Sequence, residues 1–253
     1  MKYITILPRV LWKSLFILNF VIGLVVLYPL FRIFLSKRAW YPKAFSLMRF
    51  WARWIVMVPG IKVSIEREVS ARNLPPVAVY CANHVSYLDI VLSYIVVPRY
   101  FVFMGKQEIS KAPLFNIFFR DMNILVQRQS RVGSHKAFVR AAQDISRGAS
   151  IFLFPEGTIS SRGKLISFKN GAFKLAIENQ VPIVPVTYLN NWRLLQNGGF
   201  LKAHGKPGVA RVIVHKPIPT VGMTEKDLVN LRSRVHHTIE AALKEHENRR
   251  KNR

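Results

Sequence analysis

The stretch Val77-Ala78-Val79-Tyr80-Cys81-Ala82-Asn83-His84-Val85-Ser86-Tyr87-Leu88-Asp89 runs from an unbroken apolar segment through a polar turn into the start of a second apolar segment. A short continuous apolar run bounded by turn residues reads as a strand buried on both faces, and the apolar segment beyond the turn reads as a helix. His84 and Asp89 lie on either side of the turn. On an unbroken helix, residues five apart point about 140° away from each other, so the two side chains meet only where the chain bends between them. Ser86 supplies the bend, because a serine N-cap followed three residues later by an acidic side chain is a capping signature. His84 then falls in the non-helical lead-in and Asp89 in the first helical turn. Two readings stand side by side. Asp89 can accept the imidazole Nδ1–H and leave Nε2 free to take a proton from a hydroxyl. Or Asp89 only completes the capping box, and His84 is an ordinary loop residue.

Outward from this unit the chain keeps alternating. Ile61 to Glu66, Tyr100 to Met104, Ile124 to Val126, Ile151 to Phe154, Ile183 to Leu189 and Val209 to His215 read as strands. Lys136 to Ile145, stopped at Gly148, then Gly171 to Gln180 and Glu225 to Glu245 read as helices. Strands alternating with helices of this length predict an α/β fold with a mainly parallel central sheet flanked by helices. In such folds ligands bind at the carboxyl ends of strands, where His84 and Glu156 both fall.

The 253 residues carry a net charge of +25, with 50% hydrophobic and 12% aromatic residues. With that composition disorder is not the default, and the charge predicts an anionic partner: nucleic acid, acidic lipid, or a phosphorylated or acidic-protein-bound substrate. The single cysteine, Cys81, forms no intramolecular disulfide and reads as a small core residue. Residues 14 to 31 carry no charge, which is close to the roughly 18-residue minimum for a spanning helix, and no cleavage pattern follows. From Ala44 to Val58, Trp and Phe stand beside Arg, as in a helix lying at a membrane interface. The two segments either dip into one leaflet and return, or form one spanning anchor followed by a linker helix. We therefore expect a membrane-anchoring segment over residues 1–59 and one further domain over 60–253. Lys2, Arg9, Lys13 and the tail Arg249-Arg250-Lys251-Arg253 read as anchors to anionic headgroups.

A second constellation, Phe154-Pro155-Glu156-Gly157-Thr158, follows another strand, and Gly157 lets the backbone approach a ligand closely. Cations surround it in sequence: Arg128 just after a strand, then Arg162, Lys164, Lys169 and Lys174. Strand ends bearing Arg or Lys can enclose a phosphate. For Lys164, Lys169 and Lys174 the plainer reading is a solvated face.

Asn83-His84 with Ser86 and Asp89, Lys106 with Pro113 and Arg128, Phe154 to Thr158, and Val181-Pro182-Ile183-Val184-Pro185 resemble, in order, the four motifs of the glycerophospholipid acyltransferases. The resemblance implies that His84 is the general base and Asp89 its partner. It implies that Arg128 and the Glu156-Gly157-Thr158 loop hold the acceptor's glycerol phosphate, with Lys106 nearby. Asn83 and Ser86 join them as substrate contacts, and Pro182, Ile183 and Pro185 shape the acyl-donor site. The implied reaction moves a fatty acyl group from an acyl thioester to the sn-2 hydroxyl of 1-acylglycerol-3-phosphate, giving phosphatidic acid. Two positions depart from the pattern. Ile159 stands where the family has Arg after Glu-Gly-Thr, and Met122 where it has Gly. Either Arg162 or Lys164 replaces that Arg, or the acceptor is not a simple phosphate monoester.

With no Gly-x-Ser-x-Gly elbow, direct transfer is expected rather than an acyl-enzyme. A lone His and carboxylate lack the further ligands of a metal site, so neither metal nor bound cofactor is expected. Acyl-CoA or acyl carrier protein would be the co-substrate, and a lysophospholipid the acceptor. A nucleic-acid module explains the charge but not the apolar N-terminus, so no nucleic acid is expected. A non-catalytic protein binding anionic membranes, or an acyltransferase acting on a lyso-aminolipid, are the other readings. A cytosolic donor puts the enzyme on the cytoplasmic face of the membrane.

Overall fold

The computed structural model describes residues 6–107, 114, 116–120, 122–127, 129–160 and 163–252. Seven strands form one sheet: β1 (Ile61–Arg67), β2 (Val79–Ala82), β3 (Phe101–Lys106), β4 (Ile124–Val126), β5 (Ser150–Leu153), β6 (Ile183–Tyr188) and β7 (Gly208–Val214). Their order is β1-β7-β6-β2-β5-β3-β4, parallel throughout except between β6 and β7. The central strands β2, β5 and β6 are buried at every position, which is why they read as continuous apolar runs. Edge strand β1 alternates instead, as a strand with one solvated face does.

Because side chains alternate across a strand, Tyr80 and Ala82 feed one core and Val79 and Cys81 the other. The first core is covered by α1 (Ile6–Phe34), α2 (Tyr41–Met57), α3 (Leu88–Val96) and the short α4 (Ile117–Arg120). The second is covered by α5 (Arg131–Ser146), α6 (Gly171–Glu178) and α8 (Leu228–Lys251), while α7 (Asn191–Leu194) follows β6. Strand β2 leaves through α3 on one face, and its neighbour β5 leaves through α6 on the other. Adjacent strands departing to opposite faces open a crevice at their carboxyl ends. His84 and the Phe154 to Thr158 loop flank that crevice.

The expected elements are present, with two shifts. Helix α5 starts at Arg131 rather than Lys136, because the Ser130 hydroxyl accepts the Gly133 N–H at 3.0 Å and carries the helix through the apparent break at Gly133. Helix α8 begins with a 3-10 turn, Glu225–Asp227, behind a capping box at Thr224, and continues to Lys251.

The boundary expected at residue 59 is not a break in packing. Phe16, Leu24, Leu27 and Phe31 of α1 and Phe45, Met48, Trp51 and Ile55 of α2 belong to the same core as Tyr80, Leu88 and Phe152. Helix α1 is long and apolar enough to cross a membrane. It is nevertheless tied to the rest of the molecule along its length. The Trp12 indole donates to the Pro59 carbonyl at 2.7 Å, the Asn19 amide to the Ile55 carbonyl at 3.3 Å, and Phe31 meets Phe118 edge-on at 4.7 Å. Lys13, expected to face headgroups, is buried instead. Its ammonium donates to the carbonyls of Phe200 and, at 2.6 Å, Ala203, since a cation on an apolar helix needs acceptors where it is desolvated. Lys2 and Arg253, the outermost of the expected anchors, lie outside the described residues.

Candidate active site

Strand β2 stops at Ala82 because the next residue pairs through its side chain. The Asn83 amide donates to the Tyr188 carbonyl at 3.0 Å and accepts the Tyr188 N–H at 2.7 Å, which fastens the turn to the end of β6. Asn83, expected among the substrate contacts, is fully buried with both ends of its amide on Tyr188.

Asp89 then organises the turn. Its Oδ2 accepts the backbone N–H of Val85 at 2.6 Å and of Ser86 at 2.8 Å, and lies 3.0 Å from His84 Nδ1. One carboxylate oxygen therefore completes the cap and also meets the imidazole, so capping is not all that Asp89 does. The Ser86 hydroxyl accepts the Leu88 N–H at 3.1 Å and donates to the Leu195 carbonyl at 2.5 Å. Ser86, also expected among the substrate contacts, is buried with its hydroxyl engaged in the turn. Helical backbone begins at Leu88, with Tyr87 rather than Ser86 as the flanking residue, though the hydrogen bonds are those of a cap at Ser86.

The His84 ring stacks on Phe154, with centroids 3.9 Å apart and planes at 13°. With Nδ1 turned to Asp89, the Nδ1–H tautomer is the one this arrangement favours, and Nε2 carries the free lone pair. The ring lies on the wall of a cavity of about 580 Å³ in the first core. Its apolar lining comes from α1 and α2 (Phe20, Met48, Trp51, Ile55), α3 (Val91, Tyr94) and the α4 region (Phe118, Phe119), and Lys106, Gly157, Thr158 and Lys169 also line it.

Glu156 does not line this cavity. It is buried, with Oε1 accepting the His84 N–H at 2.7 Å and Oε2 the Ile166 N–H at 3.4 Å, while the Ser160 N–H donates to the His84 carbonyl at 2.7 Å. The β5 loop thus clasps the His84 backbone from both sides. Glu156 clamps the backbone of the histidine. Burial raises its carboxyl to about 7, opposed by the N–H donors of His84 and Ile166 and reinforced by the nearby Asp89. Gly157 adopts φ +76, a left-handed conformation that glycine takes without strain, and this turns the loop into the cavity wall.

The cations divide. Lys106 lines the cavity as expected, and so does Lys169, which the plainer sequence reading leaves on a solvated face. Lys164 is exposed and is not among the lining residues. Arg128 and Arg162, with Pro113, lie outside the described residues. Ile159 lines the cavity, while Met122 fills the first core. The assignment of Pro182, Ile183 and Pro185 to an acyl-donor site is not supported by their position. Ile183 pairs with Val79 at the amino end of β2, opposite His84, and packs into the second core, while Pro185 is buried beside Cys81.

Sequence reasoning missed Asn191 altogether. It is fully buried, and its Nδ2 donates to Asp89 Oδ1 at 2.7 Å. The only local signal was an asparagine pair just past a strand, which marks a turn.

The Acyltransferase family model matches residues 62–189. A 1-acyl-sn-glycerol-3-phosphate acyltransferase of Haemophilus influenzae is 32% identical over 179 residues, covering 66% of this chain and 69% of that protein. The chloroplastic 1-acyl-sn-glycerol-3-phosphate acyltransferase LPAT1 of Arabidopsis thaliana is 34% identical over 175 residues, covering 68% of this chain. The match takes in 48% of the Arabidopsis protein, so the chain spans about half the length of such relatives. The crystal structure of the 1-acyl-sn-glycerophosphate (LPA) acyltransferase PlsC from Thermotoga maritima superposes with a TM-score of 0.77 and 25% identity, covering 97% of each chain.

Proposed function

This chain belongs to the Acyltransferase family, and from that premise we propose that it transfers a fatty acyl group from an acyl thioester to the sn-2 hydroxyl of 1-acylglycerol-3-phosphate. The observation that carries the reading is the placement of His84. Its Nδ1 lies 3.0 Å from a fully buried carboxylate, and its ring lines a mostly apolar cavity that Lys106 and Lys169 also line. Nε2 takes the proton of the acceptor hydroxyl as that oxygen attacks the thioester carbonyl. Asp89 holds the imidazole in place and stabilises the imidazolium. When the tetrahedral species collapses, the carbon–sulfur bond breaks and the thiolate takes the proton back from His84, so the base is regenerated. Transfer is direct and no acyl-enzyme forms.

The cavity sorts the substrates by polarity. Lys106 and Lys169 offer ammonium groups to a phosphate, Lys169 supplying a cation near the place where Ile159 removes one. The apolar wall built by Phe20, Trp51, Ile55 and Phe118 receives an acyl chain. Acyl-CoA or acyl carrier protein serves as thioester donor, and no resident cofactor is required.

Helix α1, through its exposed face, supports a location at a membrane. Its outer face exposes Leu7, Leu11, Leu18, Val25, Val26 and Ile33, while its inner face is packed from Phe16 to Phe31. A helix tied to its domain at both ends lies along the interface with its outer face in the lipid, rather than crossing to the far side. This is the leaflet-embedded alternative of the two N-terminal readings, on the cytoplasmic face where the donor is made.

The test is acyl transfer from labelled acyl-CoA and acyl carrier protein, by detergent-solubilised protein, to lysophosphatidate and to a lyso-aminolipid. Lysophosphatidate is the expected acceptor, and preference for the lyso-aminolipid would move the assignment there. His84→Ala should lose on the order of 10²- to 10⁴-fold in rate while still binding vesicles. Parental turnover by His84→Ala would overturn the mechanism.

A further inference from the structure

Asp89 sits at the centre of a hydrogen-bond set that reaches well beyond the His84 turn. Two backbone N–H groups and the imidazole all meet Oδ2, so Oδ1 is the oxygen that fixes the plane of the carboxylate. Oδ1 accepts from Asn191 Nδ2 at 2.7 Å, a donor 102 positions later in the chain. Asn191 Oδ1 is buried with no hydrogen-bond partner among the described residues. The opposite orientation of the amide would set its carbonyl oxygen against a carboxylate oxygen, so the geometry requires the NH₂ group to face Asp89. A buried asparagine held with one end unpaired is there for what its other end does.

The segment that carries Asn191 is braced from three directions. The Asn190 side chain donates to the Val209 carbonyl and accepts the Arg211 N–H, both at 2.8 Å, which fixes it to β7. The Arg193 guanidinium donates to Glu247 of α8 at 2.8 Å. The Leu195 carbonyl accepts the Ser86 hydroxyl, so the same segment returns to the histidine turn at a second point.

We infer that Asn191 is a positioning residue for acyl transfer: its amide locks the rotation of the Asp89 carboxylate and thereby aims His84 Nε2 into the cavity. This rests on the reading of His84 as the base. Without the donor, Oδ1 is a desolvated carboxylate oxygen with no partner, and the carboxylate can turn away from the imidazole. The backbone N–H groups of Val85 and Ser86 would still hold the turn, so the loss falls on alignment of the base more than on folding.

The experiment uses full-length protein in detergent with Asn191→Leu, which fills the space without a donor, and Asn191→Asp. The introduced carboxyl donates to Asp89 when protonated and repels it when ionised. The titratable groups already facing Asp89 are His84, Glu156 on the β5 loop and Tyr188 on β6, and they are the same in both variants. Rates are therefore read as the ratio of variant to parent at each pH.

Asn191→Leu should lower kcat on the order of 10- to 100-fold with little change in acceptor KM, as loss of the groups that orient a functional histidine does elsewhere. Asn191→Asp should show a ratio that falls as pH rises. A purely structural role would lower stability and activity together and leave that ratio flat. Parental kcat in Asn191→Leu, or a pH-independent ratio in Asn191→Asp, overturns the inference. If Asn191→Leu does not fold, Asn191→Asp alone decides. His84→Ala is measured alongside: if it is inactive while the Asn191 variants behave as parent, this inference fails and the base assignment stands. If His84→Ala keeps parental turnover, the base assignment itself fails.

Discussion

Glu156 and Asp89 are two buried carboxyls in contact with the same histidine, and their surroundings set them different tasks. Asp89 gathers four donors, from the Val85 and Ser86 N–H groups, His84 and Asn191, which together compensate a charge with no access to water. Glu156 has two backbone donors, one of them at 3.4 Å, and burial wins: its carboxyl is raised from 4.5 to about 7. A carboxyl that holds its proton more tightly in the folded state stabilises the fold fully below its unfolded value, and that stability is lost as pH rises through the folded value. The window therefore runs from about 4.5 to about 7. Glu156→Gln removes this contribution, so the stability of parent relative to variant should decline by at most about 3 kcal/mol across that window. Denaturant titrations of both proteins at several pH values measure it, and parallel pH curves would show that Glu156 does not titrate there. The same histidine–carboxylate theme recurs at His215, which meets Glu68 and Thr187 at 2.8 Å each. Those contacts join β7 and β6 to the end of β1, away from the cavity.

The α1–α2 pair supplies Phe20, Met48, Trp51, Ala52 and Ile55 to the cavity lining. Gly23 of α1 faces Trp51 of α2, where a Cβ would come 2.4 Å from the indole nitrogen. Trp51 cannot readily yield. It is buried against Phe20 at 4.8 Å, Phe31 at 5.8 Å and Phe118 at 6.2 Å, and it lines the cavity itself. Gly23→Val should therefore push α1 off α2, destabilising the protein by roughly 1–3 kcal/mol. Because the displaced ring borders the cavity, preference among acyl chain lengths should change as well. Thermal unfolding in detergent and a chain-length series read the two effects, and an unchanged midpoint would show that the helices are not held at this contact. None of this was visible in the periodicity of α1. A helix apolar all round has no polar face to mark its outside, so the buried stripe through Phe16, Gly23, Leu27 and Phe31 emerges only against α2.

For the whole molecule, the proposed membrane location gives the net charge of +25 and the apolar outer face of α1 two separable roles in attachment. Electrostatic attraction to anionic lipid weakens as the screening length shrinks from about 10 Å at 0.1 M salt to about 3 Å at 1 M, whereas apolar insertion does not. Binding to anionic vesicles should fall over that range to a fraction that persists. Leu11→Ser with Leu18→Ser and Val25→Ser should abolish this salt-resistant part in a flotation assay. Complete release of the parent by salt would remove α1 from the attachment.

What the sequence by itself determined was local. Run length marked the buried strands, the spacing from Ser86 to Asp89 marked the turn, and both depend on contacts between residues a few positions apart. Even there the pairing of His84 with Asp89 stayed one of two readings, until the structure showed a single oxygen completing the cap and also meeting the imidazole. Strand order decided everything that joins distant segments. It brought Asn191 to Asp89, set Lys169 beside the cavity, and put Ile183 at the far end of the sheet from His84. It also joined Asn83 to Tyr188 and Glu156 to the His84 backbone. The physical reason is that periodicity records which face of an element is buried, but not which other element buries it. That choice is made by the packing of the whole chain.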